Sequence, residues 1–259
     1  MLGSHQDLFF YPSGSKKFVG QTKDGHYHGQ GVYYNKDEKV IYAGEFRNGK
    51  REGLGRLFWG NGKLQYQGNF KKGKFSKVGN LYHDDGGLRL TGSWDKGQPK
   101  GLMTVYDRSG KVIYEGTLKP GNWVYHGFGT MFSDKQVAVY QGNFENGQFS
   151  GRGRQFNSEA TLMYEGLFRD GLFHGQGTLF RPNGRRYVSG NWIFGKPHGS
   201  VQFYFSEQDT GYGLYEAYGN PSTPTLQLIG DNGIKMWQSK NYWANSTILD
   251  EIWDTASKL

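Results

Sequence analysis

One phrase recurs eight times along this chain: a bulky apolar residue, usually aromatic, then one residue, Gly, one residue, a second bulky residue and, three positions on, another Gly. The first glycines of the phrase are Gly20, Gly44, Gly68, Gly92, Gly116, Gly142, Gly166 and Gly190, spaced by 24 residues at every step except one of 26. A period this short means a small supersecondary unit stacked on copies of itself. In a strand, alternate side chains share a face, so Tyr42, Gly44 and Phe46 point one way and Ala43 and Glu45 the other. Gly49 and Gly53 bracket a turn, as residues that tolerate positive φ do, and a second strand returns from about Leu54 to Phe58. Segments such as Trp59-Gly60-Asn61-Gly62, Asp107-Arg108-Ser109-Gly110 and Arg181-Pro182-Asn183-Gly184 are turn signals leading into the next unit.

The columns of the repeat support one aromatic face and one mostly wet face. The first reads Phe18, Tyr42, Tyr66, Leu90, Tyr114, Tyr140, Tyr164 and Val188; the next reads Thr22, Phe46, Phe70, Trp94, Leu118, Phe144, Phe168 and Trp192. The second strand carries Tyr34, Phe58, Tyr82, Tyr106, Phe132, Phe156, Phe180 and Tyr204. Beside the first glycine the residues are mostly polar (Gln21, Glu45, Asn69, Ser93, Thr117, Asn143, Asn191). Composition agrees: 42 of 259 residues are Gly, with 18 Phe, 18 Tyr and 7 Trp, against about 7% Gly in ordinary proteins. Such a chain suits a thin, elongated β structure better than a close-packed globule.

These residues resemble the MORN repeat (membrane occupation and recognition nexus), whose pattern is Tyr-x-Gly-x-Trp/Phe-x-x-Gly-x-x-x-Gly-x-Gly. The resemblance covers roughly residues 18–205 and implies an all-β fold: an elongated, twisted, single-layer antiparallel sheet of about eight β-hairpins. Sixteen strands at ~4.8 Å each give a rod on the order of 75 Å, with a concave groove over its ring face. Thr22, Lys77, Met103 and Val201 depart from the pattern, and two extra residues between Gly121 and Gly127 predict a bulged loop carrying Trp123 and Tyr125. Residues 1–17 read as a lead-in strand and 206–259 as an irregular C-terminal cap. Its end reads as a short helix capped by Thr247, with Ile248, Leu249, Ile252, Trp253 and Ala256 on one stripe.

Several kinds of chemistry are set aside by the residues themselves. With no Cys, disulfides and thiol catalysis are excluded. No apolar run approaches the ~18–20 residues needed to span a membrane, and the chain reads as soluble and cytoplasmic. His28, His126, His174 and His198 occupy the same slot of different repeats, too far apart at ~10 Å per repeat to share a metal. The Gly-x-Gly pairs never lead into a helix as a dinucleotide site requires. No nucleophile elbow or paired carboxylates stand out. Neither enzymatic activity nor a cofactor is expected.

Interaction remains. The expected partner groove is lined by Tyr42, Phe46, Tyr66, Phe70, Trp94, Tyr114, Tyr140, Phe144, Tyr164, Phe168 and Trp192, with Trp123 and Tyr125 as loop recognition candidates. Net charge is +8, and the run from Arg47 to Lys77 holds Arg47, Lys50, Arg51, Arg56, Lys63, Lys71, Lys72, Lys74 and Lys77 against Glu52 alone. Lys71, Lys72, Lys74 and Lys77 are the candidate patch for an anionic surface, either acidic lipid or an acidic protein. Stacking of nucleic acid on the rings is disfavoured because the sheet itself uses them. The resemblance implies an interaction scaffold holding a peptide or helix of a cytoskeletal or axonemal partner. A peripheral membrane or phosphoinositide tether is the alternative. The resemblance also implies a homodimer through the C-terminal end, and the acidic tail and basic repeats favour an antiparallel arrangement.

Overall fold

The computed structural model describes residues 6–204, 212–216, 228–229 and 235–236. Every element is a strand, with no helix among the described residues; the helix expected from Thr247 lies outside them. The chain divides into two compact units after Gln148. The first holds β1 (Asp7–Phe10), β2 (Lys16–Lys23), β3 (His26–Tyr34), β4 (Val40–Arg47), β5 (Lys50–Phe58), β6 (Leu64–Lys71), β7 (Lys74–Tyr82), β8 (Leu88–Asp95), β9 (Gln98–Tyr106), β10 (Val112–Leu118), β11 (Tyr125–Phe132) and β12 (Ala138–Glu145). The second takes over within β13 (Gln148–Phe156) and continues through β14 (Leu162–Arg169), β15 (Leu172–Phe180), β16 (Arg186–Ile193), β17 (Lys196–Tyr204), β18 (Tyr212–Glu216), β19 (Leu228–Ile229) and β20 (Lys235–Met236).

Within the first unit each strand pairs antiparallel with the next in chain order. In the second the same holds from β13 to β18, while β19 and β20 pair separately. Each phrase therefore makes one hairpin of a single-layer sheet. β1 is a lead-in strand on β2, and β18 extends the ladder one strand past the last repeat. The two-residue hairpin turns have left-handed backbone at both central residues, as at Asn48 (φ 51°) and Gly49 (φ 74°). That is the two-residue turn whose twist matches the flanking strands. Between hairpins the turns are held by Asn or Asp side chains: Asn35 Oδ1 accepts from the Asp37 and Lys39 amides at 3.0 and 2.9 Å. Asp107 does the same for Ser109 and Lys111 at 2.8 and 3.0 Å.

The repeated glycines are explained by the ring beside them. Gly44 faces Gly55 across the ladder, as Gly68 faces Gly79 and Gly166 faces Gly177. The tyrosine two residues before each pair folds flat over it. A Cβ at Gly44 would stand 2.8 Å from Tyr42 Oη, and one at Gly55 would fall within the ring. The hydroxyl then reaches the carbonyl three residues on. Tyr42 donates to Glu45 O at 3.0 Å, Tyr66 to Asn69 O at 3.2 Å and Tyr114 to Thr117 O at 2.9 Å. Tyr140 and Tyr164 repeat the bond at 2.8 and 3.1 Å, to Asn143 O and Leu167 O.

Leu90, Met103 and Val201 are coordinated replacements. Where Leu90 or Val188 stands in place of the ring, the space above the first glycine is filled from the opposite strand by Met103 or Val201. Met103 Sδ would be 2.5 Å from a Cβ on Gly92, and Val201 Cγ1 2.6 Å from one on Gly190. Both fillers are buried, and in these two hairpins Trp94 and Trp192 donate through Nε1 to Gly79 O (3.0 Å) and Gly177 O (3.1 Å). One sequence column sits differently from its expectation. The register slips at Leu57/Phe58, Leu81/Tyr82 and Leu179/Phe180, so the residue before the second-strand aromatic (Leu81, Leu179) turns into the core. Phe58, Tyr82 and Phe180 are left half-buried.

Candidate functional site

The expected groove rings form the sheet's own core. Tyr42, Phe46, Tyr66, Phe70, Trp94, Tyr114, Tyr140, Phe144, Tyr164, Phe168 and Trp192 are all between 0 and 6% exposed. A single layer has no second sheet to cover its rings, so they cover one another edge to face. Tyr42 meets Phe70 at 5.1 Å, Tyr66 meets Trp94 at 5.9 Å and Tyr164 meets Trp192 at 5.6 Å. A further column closes the stack, and nothing in the repeat phrase announced it. Nine residues after the first ring, Phe75 lies parallel on Tyr66 at 3.8 Å, Phe173 on Tyr164 at 3.7 Å and Tyr27 on Phe18 at 3.9 Å. The signal was an apolar residue at that fixed offset, masked in the second hairpin by Arg51, whose guanidinium lies 5.8 Å from the Tyr42 ring and 5.3 Å from Phe70. Burial holds the hydroxyls of Tyr42, Tyr66, Tyr114 and Tyr164 well above the ordinary tyrosine pKa, and lowers that of Arg51.

The two loop candidates take part in the same stack. Tyr125 lies parallel on Tyr114 at 4.0 Å, so it is the nine-offset ring displaced by the insertion. Trp123 adopts left-handed backbone (φ 58°), meets Trp94 edge to face at 5.4 Å and donates through Nε1 to Gln98 Oε1 at 2.9 Å. The inserted loop thus lends a ring to the hairpin that has Pro99 at the stacking offset.

The basic residues collect along the edge formed by the hairpin turns. Cross-strand partners there carry like charge: Arg47 faces Lys50, and Lys71 faces Lys74, an arrangement that destabilises a ladder. Among the described residues no carboxylate comes within ion-pairing distance of Lys71, Lys72, Lys74 or Lys77. Glu52 is engaged by the Lys72 amide at 2.8 Å. Lys77 occupies a left-handed position (φ 52°) that Gly fills in every other hairpin, as at Gly29, Gly53, Gly101, Gly127, Gly151, Gly175 and Gly199. Such a residue carries strain of about 1–3 kcal/mol.

Two open surfaces stand out in the first unit. On the ring face, a shallow hollow of about 560 Å³ is lined by Tyr27, Tyr33, Ile41, Tyr42 and Phe46, with Lys17, Lys50 and Arg51 at its rim. On the opposite face, a hollow of about 520 Å³ runs past Ala43, Leu54 and Val78, with Glu45 and Arg56 beside it. Among the described residues, no three His, Asp or Glu side chains come together as metal ligands would.

Compared with known families, the chain matches the MORN repeat model over residues 18–38, 42–63, 66–76, 140–156, 164–185 and 189–206. The third match ends one residue before Lys77. The unmatched stretch holds Leu90, Met103 and the inserted loop, although the hairpins β8–β9 and β10–β11 stand there as elsewhere. No curated protein matches the chain.

Proposed function

The chain is a MORN-repeat protein, and from that premise we propose that it is a non-enzymatic interaction scaffold, an adaptor that seats a segment of a protein partner. MORN repeats are commonly protein- or membrane-interaction modules. The observation that carries the reading is the ring-face hollow of the first two hairpins. Its floor of Tyr27, Tyr33 and Ile41 is only half-buried, and Lys17, Lys50 and Arg51 surround it. An aromatic floor with a cationic rim suits an apolar peptide or helix carrying acidic residues. By family resemblance the partner is cytoskeletal or axonemal and the setting cytoplasmic, with the cilium included. Self-association through the C-terminal end remains part of the proposal.

The buried rings are unsuitable for testing this, because removing one would unfold the hairpin. The test is affinity purification from native extract with Tyr33→Ala plus Lys50→Glu, at unchanged melting temperature. Loss of a specific cytoskeletal protein supports the reading. A partner list identical to that of the unaltered chain ends it.

A second reading is favoured by Lys77 and the like-charge pairs at the turns. Repulsion kept on one edge is relieved by an anionic surface, as in a peripheral membrane or phosphoinositide tether. Flotation with phosphoinositide-containing vesicles should weaken as salt rises and fall further with Lys72→Glu plus Lys77→Gly. Flotation indifferent to both would remove the reading.

A further inference from the structure

The face away from the rings is not uniformly wet. Leu54, Val78, Leu102 and Phe128 occupy one register slot in four successive hairpins, and they are 62, 62, 71 and 60% exposed. In the flanking repeats the same slot is polar: Gln30 before them, Arg152, Gln176 and Ser200 after. Register places them on the ring-free side, since Leu54 faces Asn69, Val78 faces Ser93 and Phe128 faces Asn143. The fold does not require apolar residues there. The slot is mostly exposed, and neighbouring polar side chains already hold the adjoining bulge: Glu45 Oε1 accepts the Leu54 amide at 3.3 Å, and Thr117 Oγ1 donates to His126 O. A row of exposed apolar residues, one per hairpin and alternating with polar residues such as Asn69 and Ser93 on the intervening strands, with abrupt polar ends, marks a contact surface.

We propose that this stripe docks an acidic amphipathic helix of a protein partner, laid across the strands of the second to fifth hairpins. The proposal rests on the chain being an interaction scaffold but concerns the opposite face from the ring-side hollow. Spacing selects the helix. Successive hairpins are two strands apart, ~9.6 Å, and seven residues of α-helix rise ~10.5 Å, so an apolar residue every heptad meets one stripe residue per hairpin after a modest tilt. A β-strand advancing the same distance uses three residues, which sends alternate side chains to opposite faces. Three steps require about 20 residues of helix.

Charge selects the helix's flanks. Arg56 shares the face and is exposed, and the exposed Lys77 and Lys100 stand on the turn side of the stripe. Of the acids nearby, Glu45 is engaged at the bulge and Glu52 by the Lys72 amide, while the exposed Glu115 stands on the strand between those of Leu102 and Phe128. Acidic residues beside the helix's apolar seam would meet these cations. A second copy of this chain would instead set Arg56, Lys77 and Lys100 against their own kind, which disfavours self-pairing on this face.

The test uses the full-length chain and a 25-residue helical probe peptide, with Leu at every seventh position and Glu beside it, followed by fluorescence anisotropy. Val78→Ser with Leu102→Ser should weaken binding at least tenfold while leaving the melting temperature within about 2 °C. Arg56→Glu should weaken it several-fold. The ring-side variant Tyr33→Ala plus Lys50→Glu should bind the probe like the unaltered chain, which separates failure here from failure of the ring-face reading. The proposal is overturned by no binding, by equal binding to the stripe variant, or by equal binding of a peptide whose Leu residues are scrambled. A melting temperature lowered by several degrees would show that the chain itself covers the stripe. A dimer, or vesicle flotation, lost only in the stripe variant would assign it to a second copy or to lipid and likewise overturn the proposal.

Discussion

In the third and seventh hairpins a tyrosine ring lies on two facing glycines. In the fourth and eighth, Leu90 or Val188 replaces the tyrosine and Met103 or Val201 replaces the second glycine. Both arrangements fill the same volume, one from the first strand and one from the second. Their second rings differ in step: Phe70 and Phe168 in the ring hairpins, Trp94 and Trp192 in the aliphatic ones, each Trp tied by its indole to a carbonyl of the preceding hairpin. The difference teaches that the glycines of this repeat serve the ring rather than the strand. Once the ring goes, the glycine opposite becomes a void that a larger side chain must occupy.

The comparison can be broken most directly at Met103. Met103→Gly opens a buried cavity without supplying a ring, and should cost about 4 kcal/mol in urea denaturation. Adding Leu90→Tyr should recover more than half of that loss; a double variant no better than the single would refute the exchange of volumes. The converse is Gly79→Ala, whose methyl would enter the Tyr66 ring, with an expected loss of about 2–3 kcal/mol. With Tyr66→Leu in place the same methyl should be nearly harmless, a coupling above about 1 kcal/mol in a double-mutant cycle.

Alkaline pH sharpens the contrast, because the ring hairpins bury a phenol over their glycines where the aliphatic ones place Met103 or Val201. Burial raises the folded-state pKa of Tyr42, Tyr66, Tyr114 and Tyr164 above the ordinary 10.0. Stability is therefore intact below about pH 10 and falls as pH rises through and beyond it, since the unfolded chain loses those protons first. Each such tyrosine steepens the fall by up to about 1.4 kcal/mol per pH unit. Replacing Tyr66 and Gly79 by Leu and Met should flatten the loss, followed as tyrosinate absorbance against circular dichroism. The smallest effect concerns Lys77: Lys77→Gly should raise stability by about 1 kcal/mol by removing left-handed strain, and an unchanged midpoint would mean that the strain is already relieved.

The hairpin repeat, its strand faces and its turns were legible because period-24 spacing and glycine positions are local properties. The candidate groove was legible in composition but not in depth. That Tyr66 and Tyr164 fold over their own glycines depends on side-chain reach, which alternation of faces does not specify. Arg51 hid the stacking column by standing where other hairpins place a ring. Trp123 looked like a free recognition residue because its partner, Trp94, lies a whole repeat earlier. Leu54, Val78, Leu102 and Phe128 passed unnoticed because each is a single apolar residue between polar neighbours, and only the stacking of hairpins aligns them.

The turn glycines also bond sideways. The amides of Gly49, Gly73 and Gly97 donate at 2.9 Å to the carbonyls of Tyr27, Arg51 and Phe75, each in the preceding hairpin. These hairpins are thereby fastened to their predecessors by strand pairing, ring contact and a lateral bond within one repeat length. Under tension applied at its ends, the first unit would let go in steps rather than all at once. Each released hairpin would lengthen the tether by about 24 residues of slack chain, ~80 Å fully extended. A partner pulling on the scaffold would thus feel a ratcheted spring whose weakest link is always the hairpin currently at the edge.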